Sequence, residues 1–149
     1  MNDPRAPIPE GRGPATKAVV LAPDLIAESL IDDDSARVLL LWREGRIRPL
    51  LTRGLLARYL RTLHRVGLPE RLLRRWAWWF GSPDKCGLLE LSGPEASTGW
   101  ALCQQAARAG GTSCVVHANR SKPPPTLLEQ PSVHCVRAAD FGIGIGVKL

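Results

Sequence analysis

The pattern of apolar and polar positions divides the chain into short alternating elements. Ala18-Val19-Val20-Leu21-Ala22 is too short an apolar run for a helix and suits a strand buried on both faces. Pro23 then fits the first turn of a helix, Asp24 meets the positive end of its dipole, and Leu25, Ile26 and Leu30 follow at helical spacing. Beyond the acidic run Asp32-Asp33-Asp34, Ser35 reads as a helix N-cap. Ala36, Val38 to Leu41 and Trp42 carry that helix to Gly45. The acids complement the helix dipole rather than form a metal cluster.

Residues 46–52 predict a second strand, with Pro49 near its start. Thr52 or Arg53 starts a helix to about Val66, with Leu56, Tyr59, Leu60 and Leu63 as its apolar stripe and Arg58, Arg61 and Arg65 on another face. Pro69 introduces a helix from Glu70 to Phe80. Its inner side is Leu72, Leu73, Trp76, Trp79 and Phe80, its polar side Arg71, Arg74 and Arg75. Residues 86–91 predict a third strand. Ser97 or Thr98 caps a helix to about Ala109 that turns Trp100, Ala101, Cys103, Ala106 and Ala107 inward, and Gly110-Gly111 closes it. Residues 113–117 and 133–136 predict the last two strands, with a turn at Leu127-Leu128 between them. Strands alternating with helices in this order predict a three-layer α/β/α sandwich with a mostly parallel central sheet. The ligand crevice of such a sheet lies at the carboxyl ends of its strands.

Composition adds bounds. A chain of 149 residues with 44% hydrophobic content suits one domain. The expected layout is an arm over 1–16, disordered by its four prolines, two glycines and mixed charges, then a domain over 17–141 and a tail over 142–149. No apolar run reaches the ~20 residues of a membrane span, and the start has no secretory pattern. The net charge of +6 fits either a nucleic-acid or acidic partner or an ordinary arginine-rich surface. Trp76, Trp78 and Trp79 among arginines fit a core with one exposed ring, a stacking surface for nucleic acid, or a partner groove. Cys86, Cys103, Cys114 and Cys135 form no Cys-x-x-Cys pair, which suggests thiols in a reducing, cytoplasmic compartment. No glycine-rich phosphate loop follows the first strand.

In this order the pieces resemble the PIN domains, and among them the toxin components of bacterial toxin–antitoxin systems. The resemblance covers about 17–141. It rests on Val19 to Leu25 as opening strand and turn, Ser35 to Trp42 and Gly45 to Leu51, Leu55 to Leu60 as the family's Leu-Leu-Ala-Glu-Tyr helix, Gly111 to Arg120, and Ala139-Asp140-Phe141. Active members are Mg²⁺- or Mn²⁺-dependent ribonucleases, whose hard cations need clustered carboxylates. The resemblance places the family acids on Ala22, on Arg58, near Thr98, Gly99 or Trp100, and on Asn119, none of them acidic. Asp24 stands where the family usually has Asn. Residual carboxylates are Asp24, Glu28, Glu95 and Asp140; Asp24 and Glu28 would be the ligands if any metal bound. His117 is a further acid–base candidate at the strand end.

The expectation is therefore a protein without a resident metal, in which Arg58 replaces the cation and pairs with Asp24 or Glu28. The resemblance further implies a homodimer and an antitoxin-like protein partner. Arg58, Arg61, Arg65, Arg71, Arg74 and Arg75 are candidate RNA contacts. An active nuclease with relocated carboxylates and a non-catalytic interaction module are the alternatives.

Overall fold

The computed structural model describes residues 16–124 and 133–144. The elements run β1 (Lys17–Leu21), α1 (Pro23–Glu28), α2 (Asp33–Arg43), β2 (Ile47–Leu51), α3 (Arg53–Arg65), α4 (Glu70–Gly81), β3 (Gly87–Leu88), α5 (Gly99–Gly110), β4 (Cys114–His117), β5 (His134–Arg137) and, last, α6 (Ala138–Gly144). Residues 1–15 of the arm predicted over 1–16, the Leu127-Leu128 turn and residues 145–149 of the tail lie outside the described residues. α6 continues through Gly144, past the expected domain boundary at Phe141.

The five strands form one sheet in the order β3-β2-β1-β4-β5. Every pairing is parallel, so the sheet is wholly rather than mostly parallel. Central position explains the unbroken apolar runs: Val19, Val20 and Leu21 of β1 are fully buried, as are Val115 and Val116 of β4. Pro49 pairs with Val19, while β3 first joins β2 at Leu50. The residue that cannot donate to a ladder thus lies where β2 has a partner on one side alone.

α5 packs across β1, β2 and β4; α2 packs on β2 and holds α6; α3 contacts α1, α4 and α5. The result is the three-layer α/β/α sandwich that the sequence predicts. β3 holds two residues, not six, because residues past Leu88 leave the β2 ladder after Leu89 N–H donates to the Leu51 carbonyl.

Caps follow local chemistry. Asp32, not Ser35, caps α2: its Oδ2 accepts from the Ser35 N–H at 3.0 Å and from the Ser35 hydroxyl at 3.1 Å. A carboxylate can take both donors at once, and Ser35 becomes a buried residue of the first turn. Thr52 caps α3 and Thr98 caps α5. Gly111 ends α5 at φ 70°, a conformation that disfavours any side chain.

α4 is held by an aromatic cluster. Phe80 stacks on Trp42 at 5.3 Å and 14°, and Trp79 meets Trp42 edge-on at 5.3 Å. Tyr59 lies 4.8 Å from Phe80, and the Trp42 indole N–H donates to the Lys85 carbonyl at 2.9 Å. Trp78 is the exposed ring, with 68% of its surface in solvent. On α3 the buried residues are Leu55, Tyr59 and Leu63, with Leu56 and Leu60 at the margin. On α5, Leu102 is buried and Ala101 only partly, a rotation of about one residue from the expected face.

Candidate site at the carboxyl ends of the first and fourth strands

The chain builds β1, β2 and β3 in one direction, then returns to place β4 on the other side of β1. The strand order reverses between β1 and β4, which makes the space beyond their carboxyl ends the expected ligand crevice. Four segments converge there. β1 leads into Ala22, whose N–H donates to the Val116 carbonyl at 2.8 Å. α1 begins at once with Pro23. α5 begins beside it, so close that a Cβ on Gly99 would lie 3.8 Å from Pro23 Cγ. β4 delivers His117, Ala118 and Asn119. α3 reaches β1 from below, where the buried Tyr59 hydroxyl donates to the Leu21 carbonyl at 2.5 Å. Burial pushes the Tyr59 phenol well up and keeps it neutral.

Each of the residues that the resemblance singles out, Ala22, Arg58, Gly99 and Asn119, has a role in the fold. Ala22 is buried and apolar. Gly99 opens α5. Asn119 Nδ2 donates to Asp34 Oδ2 at 2.8 Å, and its Oδ1 accepts from the Ala139 N–H at 2.8 Å. One side chain therefore ties β4 to α2 and to α6. Arg58 pairs with neither Asp24 nor Glu28; it donates to the Ser97 carbonyl, at 2.6 Å, just before the Thr98 cap. The expected ion pair fails because both acids have nearer donors. Asp24 Oδ1 accepts from the Ala118 N–H at 3.3 Å. Glu28 receives Arg120 on both oxygens at 3.0 Å.

The remaining carboxylates are also placed elsewhere. Glu95 lies over the first turn of α3, where a Cβ on Gly54 would fall 1.7 Å from Glu95 Oε1. A side chain at position 54 would push that exposed carboxylate aside. Asp140 receives Arg137 at 3.1 Å on the surface. Among the described residues, no three of His, Cys, Asp and Glu stand together as a metal-holding group. The donor set does not fit a Mg²⁺ or Mn²⁺ centre of the family's kind, which needs several convergent oxygen anions.

His117 is buried against Trp100, with ring centroids 5.7 Å apart at 72°. Its Nδ1 faces the Ala118 carbonyl at 2.8 Å and Ser121 Oγ at 3.0 Å. The carbonyl can only accept, so Nδ1 carries the proton. Sequence reasoning missed Asp34 and Arg120 as partners in this region. Asp34 is 85 residues from Asn119 and Arg120 is 92 from Glu28, distances at which local pattern carries no signal.

Two surfaces lie outside the crevice. Arg61, Arg65, Arg71, Arg74 and Arg75 are exposed, whereas Arg58 is partly buried. A groove of about 330 Å³ runs between the end of α1, α2 and α4, lined by Leu30, Leu39, Leu40, Trp76 and Trp79 with Arg43 and Arg75 among them. Leu30 and Leu40 are each 45% exposed, and the neighbouring Ile31 is exposed as well. No helix among the described residues is long and apolar enough to cross a membrane. Comparison with family models, curated proteins and solved structures found no match to this chain.

Proposed function

We propose that this is a PIN-like protein, akin to the toxin component of a toxin–antitoxin system, that has lost or impaired ribonuclease activity and retains binding of RNA or of an antitoxin-like partner in the cytoplasm. The observation that carries this reading is Asn119. At a position where the family's chemistry would need a free carboxylate, it serves as a structural bridge between Asp34 and the Ala139 N–H. Ala22, Arg58 and Gly99 at the other positions supply no anionic oxygen. A divalent cation beside the Arg58 guanidinium would also meet like charge. The protein-binding part of the reading draws on the groove between α2 and α4, where apolar side chains are flanked by Arg43 and Arg75. Such a surface suits an amphipathic segment that carries acids at its edge.

The test is calorimetric titration of Mn²⁺ into the purified protein, with a ribonuclease assay on the same sample. The expected result is no saturable heat and no cleavage that responds to metal. Tight binding together with metal-dependent cleavage would overturn the reading and assign the chemistry to Asp24, Glu28 or Glu95.

A further inference from the structure

The outer face of α4 carries its own arrangement. Arg71, Arg74, Arg75 and Trp78 recur at spacings of three, one and three residues. At about 100° per residue they share an arc of roughly 100°. The structure exposes all four, while Leu73, Trp76, Trp79 and Phe80 turn toward the core; Leu72, expected with them, is half-buried and does not pack against it. Trp78 has no reason of packing to be there. It is 68% exposed, and the ring contacts of the aromatic cluster run through Trp42, Trp76, Trp79 and Phe80 without it. Among the described residues the arginines have one carboxylate contact: Arg74 meets Glu70 at 3.8 Å with both side chains nearly four-fifths exposed, a contact worth little in water.

We infer that this face binds single-stranded nucleic acid, with Trp78 as a stacking platform for one base and Arg71, Arg74 and Arg75 as contacts to the flanking phosphates. A flat, rigid indole offers its π-face to any base, and guanidinium groups one turn (Arg74, Arg75) and two turns (Arg71) before it along the helix match a polyanionic backbone. The charge complementarity favours a polyanion, and the exposed ring favours one with unpaired bases over an acidic protein, whose carboxylates would leave the indole unmatched. The inference deepens the RNA-binding part of the reading above and locates it away from the strand-end crevice. It does not depend on whether the crevice ever holds a metal.

The probe is a fluorescein-labelled oligouridylate, followed by anisotropy with the full chain across a sodium chloride series. Binding should weaken linearly on logarithmic axes with a slope near −2, since three phosphate contacts each contribute about 0.7 on a single strand. Trp78→Ala should weaken binding by about 5- to 150-fold, the loss of one base–aromatic stack. Trp78→Phe, which keeps a ring, should recover much of it. Arg71→Gln with Arg74→Gln should lower the slope magnitude by about 1.4. These side chains are exposed, so circular dichroism should be unchanged.

Binding that ignores Trp78→Ala, or labelled polyglutamate that binds as tightly and with the same dependence on Trp78, overturns the inference; the second result would assign the face to an acidic protein. Metal-dependent cleavage would overturn the loss of activity proposed above and leave this face standing.

Discussion

Asn119 shows how one side chain can tie a strand end to two helices. Its amide offers a donor and an acceptor, and the structure uses both, on Asp34 and on the Ala139 N–H. Aspartate at this position would keep the acceptor and lose the donor, and would set a second carboxylate against Asp34. Asn119→Asp should therefore destabilise the fold by about 1–3 kcal/mol, the cost of an unmatched, partly buried polar pair. Urea unfolding would read this as a lower midpoint at unchanged slope. The same variant should gain no Mn²⁺ dependence, because Ala22, Arg58 and Gly99 still lack carboxylates. The sequence alone shows that Ala22, Arg58, Gly99 and Asn119 carry no carboxylate. The contacts these residues make were not legible. Arg58 was expected on Asp24 or Glu28, yet it lies on the Ser97 carbonyl. Charge alone suggests an ion pair; only the fold reveals that Arg120 and the Ala118 N–H are nearer to those acids.

Among the elements, α4 was the most legible, because a helix that must bury one face writes that face at a period of 3.6 residues. Phe80 is its anchor, fully buried between Trp42, Tyr59 and Trp76. Phe80→Ala should cost about 3–5 kcal/mol, through lost burial and the cavity left among three rings. Trp78→Ala, on the opposite face, should leave the melting temperature almost unchanged. Thermal unfolding of the two variants side by side separates core from surface on one helix. The start of α2 was misread by three residues because four consecutive positions, Asp32 to Ser35, all favour an N-cap. Asp32→Ala should lose about 1 kcal/mol, by removing the acceptor for both the Ser35 N–H and hydroxyl. β3 was overestimated because an apolar run records burial, whereas ladder length is set by the partner strand.

For the molecule as a whole, the alternation of strands and helices was enough to predict the sandwich, and the parallel order of β1 to β4 follows once each return between them runs through helices. The buried thiols make a property of the entire fold testable. Burial pushes Cys86 up to about 12 and Cys114 up to about 11, and raises Cys103, fully buried, and Cys135, partly buried. An unfolded chain would release these protons near pH 9, whereas the folded chain holds them. Between those limits the folded state binds more protons than the unfolded one, so stability falls as pH rises. The sign is that of any acid raised by folding: its contribution is complete below about pH 9 and is lost as pH climbs toward 11 and 12. The buried Tyr59 phenol adds to the same slope at higher pH. The melting temperature should therefore hold through neutral pH and drop steadily above pH 9. A chain with Cys86→Ser and Cys114→Ser should lose part of that alkaline slope, whatever its stability at pH 7. Reaction with a disulfide reagent at pH 8 should label Cys135 first, since it alone of the four is not fully enclosed, and reach the other three only on adding denaturant. Rapid labelling of all four in the folded protein would mean that the sheet opens far more often than its burial implies.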